Sequence, residues 1–202
     1  MREGTVLRTR RLTLRPWEES DAEMLYEYAK DPRVGPACGW EPHTSVENSR
    51  EIIRTVFAEE ETFAIVPDAV GHAVGSLGIM REGEGTAPVG RDEAEIGYWI
   101  GVPYWGQGLV PEAVREALRY CFEKLGCSGV WCGYFDGNDK SRRVQEKCGF
   151  VYHHTERDKE WRGMRITEHC TFMSRAQWEK TRAVSGKNAD APAPGDPRGA
   201  SR

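Results

Sequence analysis

The chain has 202 residues and a net charge of −4, with 30% charged and 39% hydrophobic residues. That length supports one domain with a sizeable core, and the acidic balance argues against a nucleic-acid partner, which would need a basic face. No apolar run reaches membrane-span length and no N-terminal apolar segment reads as a leader, so a cytoplasmic protein without a membrane partner is expected.

In chain order, Thr9-Arg10-Arg11-Leu12-Thr13-Leu14-Arg15-Pro16 alternates polar and apolar residues and reads as a half-buried strand. Ser20-Asp21-Ala22-Glu23 has the form of a capping box and opens a helix to about Lys30. Residues 33–43 read as a loop, and Thr44-Ser45-Val46-Glu47 opens a second helix. Phe63–Val66 and Ala73–Met80 suggest two strands of a hairpin, followed by an exposed loop over residues 81–92. A central strand is expected from about residue 93 to 102, closed by Pro103.

The next helix shows apolar residues at Val110, Val114, Ala117, Cys121 and Leu125. Pro111 suits its first position and Gly126 its stop. Gly129–Phe135 reads as a strand reached through that helix, so it should pair in parallel with the central strand. Asn138 caps a short helix ending at Cys148-Gly149, and two last strands near 150–156 and 166–173 turn at Arg162-Gly163. Residues 181–202 are rich in Ala, Pro and Gly, cannot bury a core, and are expected to form a disordered tail behind a domain of residues 1–180.

Six cysteines (Cys38, Cys121, Cys127, Cys132, Cys148, Cys170) lie mostly in apolar patterns. They read as buried free thiols in a reducing compartment. No Cys or His spacing suits a metal, so none is expected; His153, His154 and His169 read as strand surface.

Gly106 and Gly108 sit where the central strand turns into a helix, which aims free N–H groups and the helix dipole at one spot. A phosphate is the natural guest. The P-loop pattern is excluded because no Lys-Ser/Thr follows, and the dinucleotide fingerprint because the third glycine is missing.

What remains, Val102-Pro103 followed by Trp105-Gly106-Gln107-Gly108-Leu109-Val110, resembles the pyrophosphate loop of the GNAT superfamily of acetyl-CoA-dependent N-acetyltransferases. Trp105 and Val110 depart from the superfamily's consensus. Tyr104-Trp105-Gly106-Gln107-Gly108 and Leu12-Thr13-Leu14-Arg15-Pro16 are similar to the branch that acetylates ribosomal-protein N-termini, the RimJ/RimL type. Asn138-Asp139-Lys140-Ser141-Arg142-Arg143-Val144-Gln145-Glu146-Lys147-Cys148-Gly149-Phe150 resembles the superfamily's second segment, with Gln145 where many members carry Tyr.

The resemblance implies an α/β (α+β) fold. Its sheet is mixed and mostly antiparallel, with about seven strands, about four flanking helices and a splay between two central parallel strands. It implies transfer of the acetyl group of acetyl-CoA to a primary amine by direct attack in a ternary complex. The cofactor's pantetheine would pair with backbone at Ile100 and Val102, and its pyrophosphate with Trp105, Gly106, Gln107, Gly108, Leu109 and Val110. Asn138 would reach the pantetheine, and Arg143 is counted with the cofactor residues. Ser141 matches the branch's acid for the leaving thiolate. Glu95 is the favoured base, with Glu93, on the same strand face, in reserve.

Plainer readings stand beside these. The glycines make a tight turn, Asn138 and Ser141 are a cap and a first-turn residue, Glu95 is a solvated charge and Arg143 is solvated. The acceptor stays open between a protein N-terminal α-amine and a small-molecule or antibiotic amine. A non-catalytic acetyl-CoA-binding regulatory module is the alternative from another class. The oligomeric state is open too, a homodimer being one option.

Overall fold

The alternation Leu12-Thr13-Leu14 buries both leucines and forms β2 (Leu12–Pro16). It pairs with a two-residue β1 (Leu7–Arg8) and with β3 (Thr62–Pro67). The computed structural model describes residues 4–189, with residues 183–189 as backbone alone. β4 (Gly75–Met80), β5 (Glu93–Ile100), β6 (Gly129–Phe135), β7 (Val151–Trp161) and β8 (Met164–Ser174) complete the sheet, in the order β1-β2-β3-β4-β5-β6-β8-β7. It has eight strands because β1 adds to the seven expected. All neighbours are antiparallel except β5 and β6.

α3 (Leu109–Glu123) buries Val110, Val114, Ala117 and Cys121, as its stripe predicts. It starts two residues earlier than expected, so Pro111 is its third residue; the first-turn N–H groups lack helical partners in any case. Gly126 (φ 72) ends it, and the Cys127 N–H reaches back to the Cys121 carbonyl. Trp178 of α5 (Arg175–Ala189) stacks on Phe122 at 5.0 Å. α3, α5 and the end of α4 (Asp139–Cys148) thus share the core on one side of the sheet.

On the other side, α1 (Ala22–Ala29) and α2 (Val46–Thr55) pack around Trp17, Ala64 and Trp99. Ser45 caps α2 by accepting from the Asn48 N–H. The reciprocal cap ahead of α1 is Glu18 with Asp21 rather than Ser20 with Glu23, across a 3-10 turn over Glu19–Asp21. Asp21 is fixed there by a two-pronged ion pair with Arg15 at 2.7 and 2.8 Å.

Three boundaries differ from the sequence reading. β5 ends at Ile100, and Val102–Tyr104 forms a 3-10 turn that accommodates Pro103. β7 and β8 run to a two-residue turn at Arg162 (φ 48) and Gly163 (φ 78), so the hairpin is longer than expected. α5 carries helical backbone across the expected boundary at residue 180, through Ala189. The remaining stretch expected to be a disordered tail, residues 190–202, lies outside the described residues.

One departure from regular pairing opens the sheet at its centre. β5 and β6 pair only at Glu93↔Gly129, Ala94↔Val130 and Glu95↔Trp131, and then part. β5 stays tied to β4 through Ile100, and β6 to β8 through Phe135.

Candidate active site

Residues of an antiparallel pair alternate between bonding across the ladder and facing away from it. The Gly101 N–H donates to the Val74 carbonyl, so Gly75↔Ile100 is a pair that faces away. By that alternation Ile96, Tyr98 and Ile100 turn their backbone groups toward β6. The Asp136 N–H donates to the Thr167 carbonyl, which by the same rule turns Gly133 and Phe135 toward β5. Past Glu95 the two sets no longer meet. They border a cleft of about 1270 Å³, more than a drug-sized ligand requires and suited to a long one.

Side chains of β5 alternate across the sheet at this point. Ile96, Tyr98 and Ile100 face α3, whereas Glu95 and Trp99 face the opposite side. Chemistry placed in the splay is therefore reached by different residues from its two sides.

On the α3 side, Gly106 (φ 75) and Gly108 (φ 74) both adopt left-handed backbone, and a Cβ at Gly106 would meet nothing within 4 Å. The N–H groups of Gly106, Gln107, Gly108, Leu109 and Val110 find no partner among the described residues. They form the positive end of α3, and Gly106, Gly108, Leu109 and Val110 border the cleft. Leu109 and Val110 bury their side chains in the core, so Val110's departure from consensus is absorbed there.

Trp105 fastens the loop to the strand, its Nε1–H donating to the Ile100 carbonyl at 2.9 Å. Its ring lies 4.1 Å from Lys140 Nζ of α4, so it bridges loop, strand and helix. Arg11 holds the loop from outside: it donates to the Gln107 carbonyl (3.1 Å) and pairs with Glu112 (2.7 Å) in the first turn of α3. Gln107 turns its side-chain amide onto the Pro103 carbonyl. Arg143 and Lys147 line the cleft.

At α4, Asn138 caps the helix, accepting from the Ser141 N–H at 3.1 Å and donating to the Ala37 carbonyl at 3.2 Å. Both ends of its carboxamide are engaged within the protein. The Ser141 hydroxyl is 3.0 Å from the Tyr98 hydroxyl and accepts from Gln145 Nε2 at 3.2 Å. Gln145 is 1% exposed, donates to the Gly133 carbonyl and accepts from Thr171. The Tyr98 hydroxyl also donates to the Ser141 carbonyl at 3.2 Å, so either hydroxyl can be the donor in the contact between Tyr98 and Ser141. Burial pushes the Tyr98 hydroxyl well above its usual range, so it remains a donor at neutral pH.

On the opposite side, Glu95 is 4% exposed. Its carboxyl accepts from the Ala87 N–H and meets the Thr86 hydroxyl, each at 2.8 Å. Burial raises its pKa above the usual carboxylate value, against the lowering effect of those hydrogen bonds. Glu93 accepts instead from the Gly90 N–H and from Trp131 Nε1, which ties it to β6 and the loop before β5. Trp99, Trp40 (ring centroids 5.8 Å apart) and Trp161 line the same side, and a Cβ at Gly39 would meet the Trp161 ring at 2.8 Å.

The structure thus gathers Ile100, the Trp105–Val110 loop, Asn138, Ser141 and Arg143 on one side of the splay, with Glu95 on the other. Val102 falls outside the diverging stretch: it opens the 3-10 turn, and its carbonyl accepts from the Trp105 N–H. Tyr98 takes its place as a strand residue with backbone turned to the splay. The sequence reading also passed over the Tyr98 hydroxyl, Thr86, Glu168 and Arg11. Period two along β5 could have marked Tyr98, but the other three meet the site only through distant pairings. All six cysteines are free, and among the described residues no group of His, Cys, Asp and Glu could hold a metal ion.

Comparison with known proteins places this geometry. Residues 11–151 match the family described as acetyltransferase (GNAT) domain. An uncharacterized N-acetyltransferase of Bacillus licheniformis, p20, is 31% identical over 160 residues, spanning 76% of this chain and 86% of that protein. YdaF of Bacillus subtilis, provisionally named a ribosomal N-acetyltransferase, is 41% identical over 66 residues, 33% of this chain and 36% of its own. A Vibrio cholerae structure, described provisionally as a ribosomal-protein-serine acetyltransferase, superposes with a TM-score of 0.70 at 22% identity, covering 86% of this chain and 99% of that one.

Proposed function

The chain belongs to the GNAT acetyltransferase family and is an acetyl-CoA-dependent N-acetyltransferase; from that premise we propose that its acceptor is a protein N-terminal α-amine. The observation that carries the mechanism is the two-sided splay: Ser141 faces it from the α4 side and Glu95 from the other. The cleft suits the cofactor, because the left-handed glycines leave the loop's N–H groups unpaired beside it and leave room for close approach. The pyrophosphate would rest on the Gly106–Val110 N–H groups, and the pantetheine would lie along the backbone of Tyr98 and Ile100.

The amine enters from the Glu95 side. Glu95, ionised, takes a proton from the amine as nitrogen attacks the thioester carbonyl. β5 N–H groups turned to the splay stabilise the oxyanion. Ser141, oriented by Gln145 and backed by Tyr98, protonates the departing sulfur. Gln145 thus acts through Ser141 where many relatives carry a tyrosine, and Glu93, bound to Trp131, supports the strand.

The provisional descriptions of YdaF and of the Vibrio cholerae structure support a protein N-terminus as acceptor. A small-molecule amine is the second reading, favoured by the hairpin tip at Trp161 resting on Gly39 and narrowing that side. A thiol-release assay with acetyl-CoA separates them, using Ser- and Ala-initiated peptides beside spermidine, with mass analysis of products. Acetylation of the peptides at the α-amine upholds the reading; turnover of spermidine alone replaces it with the second.

A further inference from the structure

On the Glu95 side the sheet is bare at one place. β4 and β5 pair there as Met80↔Glu95, Gly78↔Gly97 and Ser76↔Trp99, so two glycines stand side by side between Glu95 and Trp99. Neither has a positive φ, and the register passes through them without a bulge, so the backbone does not ask for glycine. Packing does not ask for it either. A Cβ at Gly78 would meet nothing nearer than Thr62 Oγ1 at 3.8 Å, and one at Gly97 only the end methyl of Met80 at 3.0 Å. The neighbouring strand glycines are crowded by contrast. An added Cβ would meet the Trp99 carbonyl at 2.3 Å from Gly75, the Phe172 ring at 2.1 Å from Gly129 and Glu168 Oε1 at 2.2 Å from Gly133.

Glycine inside a strand weakens it, and an uncrowded one marks a place where a ligand comes close to the backbone. Gly78 and Gly97 are half-buried and line the cleft, whereas Ser76, Glu95 and Trp99 around them are buried. The bond from the Gly101 N–H to the Val74 carbonyl fixes the alternation, by which Gly78 and Gly97 exchange both backbone bonds with each other. The floor they make has no free donor or acceptor; it is a flat patch of Cα hydrogens and peptide faces. Trp99 closes one end, with the Trp40 ring 5.8 Å away, and Glu95 stands at the other. Phe57, stacked on Trp17 at 5.0 Å, and the half-exposed Val56 line the cleft from the end of α2. Between Phe57 and Trp99 in the chain, the charged residues lining the cleft are Glu59, Glu84 and Glu95, all carboxylates.

We propose that Gly78 and Gly97 are the floor of an acceptor subsite that takes a flat aromatic ring, carried by the residue after the one whose amine reacts. This deepens the reading of the acceptor as a protein N-terminus and rests on it. Gly97 lies two residues beyond Glu95, about 6–7 Å along the strand. In a peptide whose α-amine lies at Glu95, the second Cα is about 5 Å from the nitrogen, so its side chain reaches the floor. A Phe, Tyr or Trp ring there lies across the two glycines and meets the Trp99 ring at its end. A carboxylate in the same place faces Glu59, Glu84 and Glu95 and is disfavoured. A side chain at either glycine would fill the space of the ring, which is why the strands keep both positions bare.

The test uses peptides beginning Ser-Phe, Ser-Ala and Ser-Asp and otherwise identical, beside phenethylamine and ethylamine, with wild type, Gly78→Ala and Gly78→Val. Thermal unfolding with and without acetyl-CoA shows that each variant folds and holds the cofactor. Wild type should favour Ser-Phe over Ser-Ala by about tenfold or more in kcat/KM. The preference should lie chiefly in KM, because the ring is remote from the reacting atoms. Ser-Asp should be the poorest of the three. Gly78→Ala should narrow the preference and Gly78→Val abolish it, with the acetyl-CoA shift in Tm kept. Gly78→Ala, which has room for its methyl, carries the test if valine unfolds the chain. Equal kcat/KM for the three peptides in wild type, or a preference undiminished in the folded variants, overturns the floor and leaves the peptide reading standing. If no peptide is acetylated but phenethylamine is favoured over ethylamine, and the Gly78 variants lose that preference, the floor stands and the protein N-terminus falls. Turnover of none of these amines overturns both.

Discussion

Replacing Gly108 by valine separates the cost of a strained backbone from the loss of a ligand site. Gly108 caps α3 at φ 74, and a Cβ there would meet nothing nearer than Arg11 at 3.7 Å. The folding penalty is therefore that of left-handed backbone, about 1–2 kcal/mol, which lowers Tm by roughly 2–8 °C for a chain of this size. Gly71→Val supplies the control, because Gly71 has φ 78 and open space around it in the turn after β3. It should show the same fall.

Acetyl-CoA at a hundred times its Kd adds about 2.7 kcal/mol to the native state, so wild type should rise by about 5–11 °C. In Gly108→Val the new side chain crowds the approach to the loop N–H groups. Losing two charge-assisted hydrogen bonds at about 1.5–3 kcal/mol each removes that gain altogether. Thermal unfolding by fluorescence, with and without acetyl-CoA, reads both quantities. A full ligand shift in Gly108→Val, or an equal loss of shift in Gly71→Val, would refute the placement of the pyrophosphate.

Two further outcomes follow from the same contacts. Ser141→Ala should lower kcat by about 10²–10⁴ with KM for acetyl-CoA little changed, measured by thiol release, because the role proposed for the hydroxyl is on the leaving sulfur. Glu112 is held below its usual pKa of 4.5: burial pushes it up, but hydrogen bonds from Thr9 and Arg11 outweigh that. Its contribution to stability is present above pH 4.5 and is lost as acid protonates it. Glu112→Gln should therefore unfold more easily than wild type at neutral pH in urea titrations, and the gap should close in acid.

The loop before α3 was legible because its signal is local: two glycines between a strand pattern and a helix stripe have few conformations open to them. The second segment was legible for the same reason, since Asn138 caps α4 three residues ahead of Ser141. What the chain order hides is contact at a distance. Tyr98 meets Ser141 across 43 residues, and Thr86 meets Glu168 across 82. Nothing in the periodicity of either segment announces those meetings.

Val102 was misplaced because Ile-Gly-Val-Pro reads as strand up to the proline, whereas the proline fits equally well inside a 3-10 turn. Glu93 and Glu95 looked alike by period two. Only the register separates them: Glu95 stands at the last parallel pair, where the splay opens, and Glu93 lies two residues inside it. The β7–β8 hairpin was shortened in reading because its polar outer residues carry no apolar alternation. Its extra length is what brings Trp161 to the cleft and Lys159 to Glu168.

The central claim, that Glu95 removes the amine proton from the side opposite Ser141, is tested most directly by the pH–rate profile of Glu95→Gln. Burial raises the Glu95 pKa above 4.5, and only its ionised form is a base. The wild-type rate should therefore fall with acid at a pH above the usual carboxylate range. With a Ser-initiated peptide, Glu95→Gln should be far slower than wild type near neutrality and should regain relative activity in alkaline buffer, where the amine is neutral without help. A variant as fast as wild type at every pH, or equally slow at every pH, would contradict the assignment.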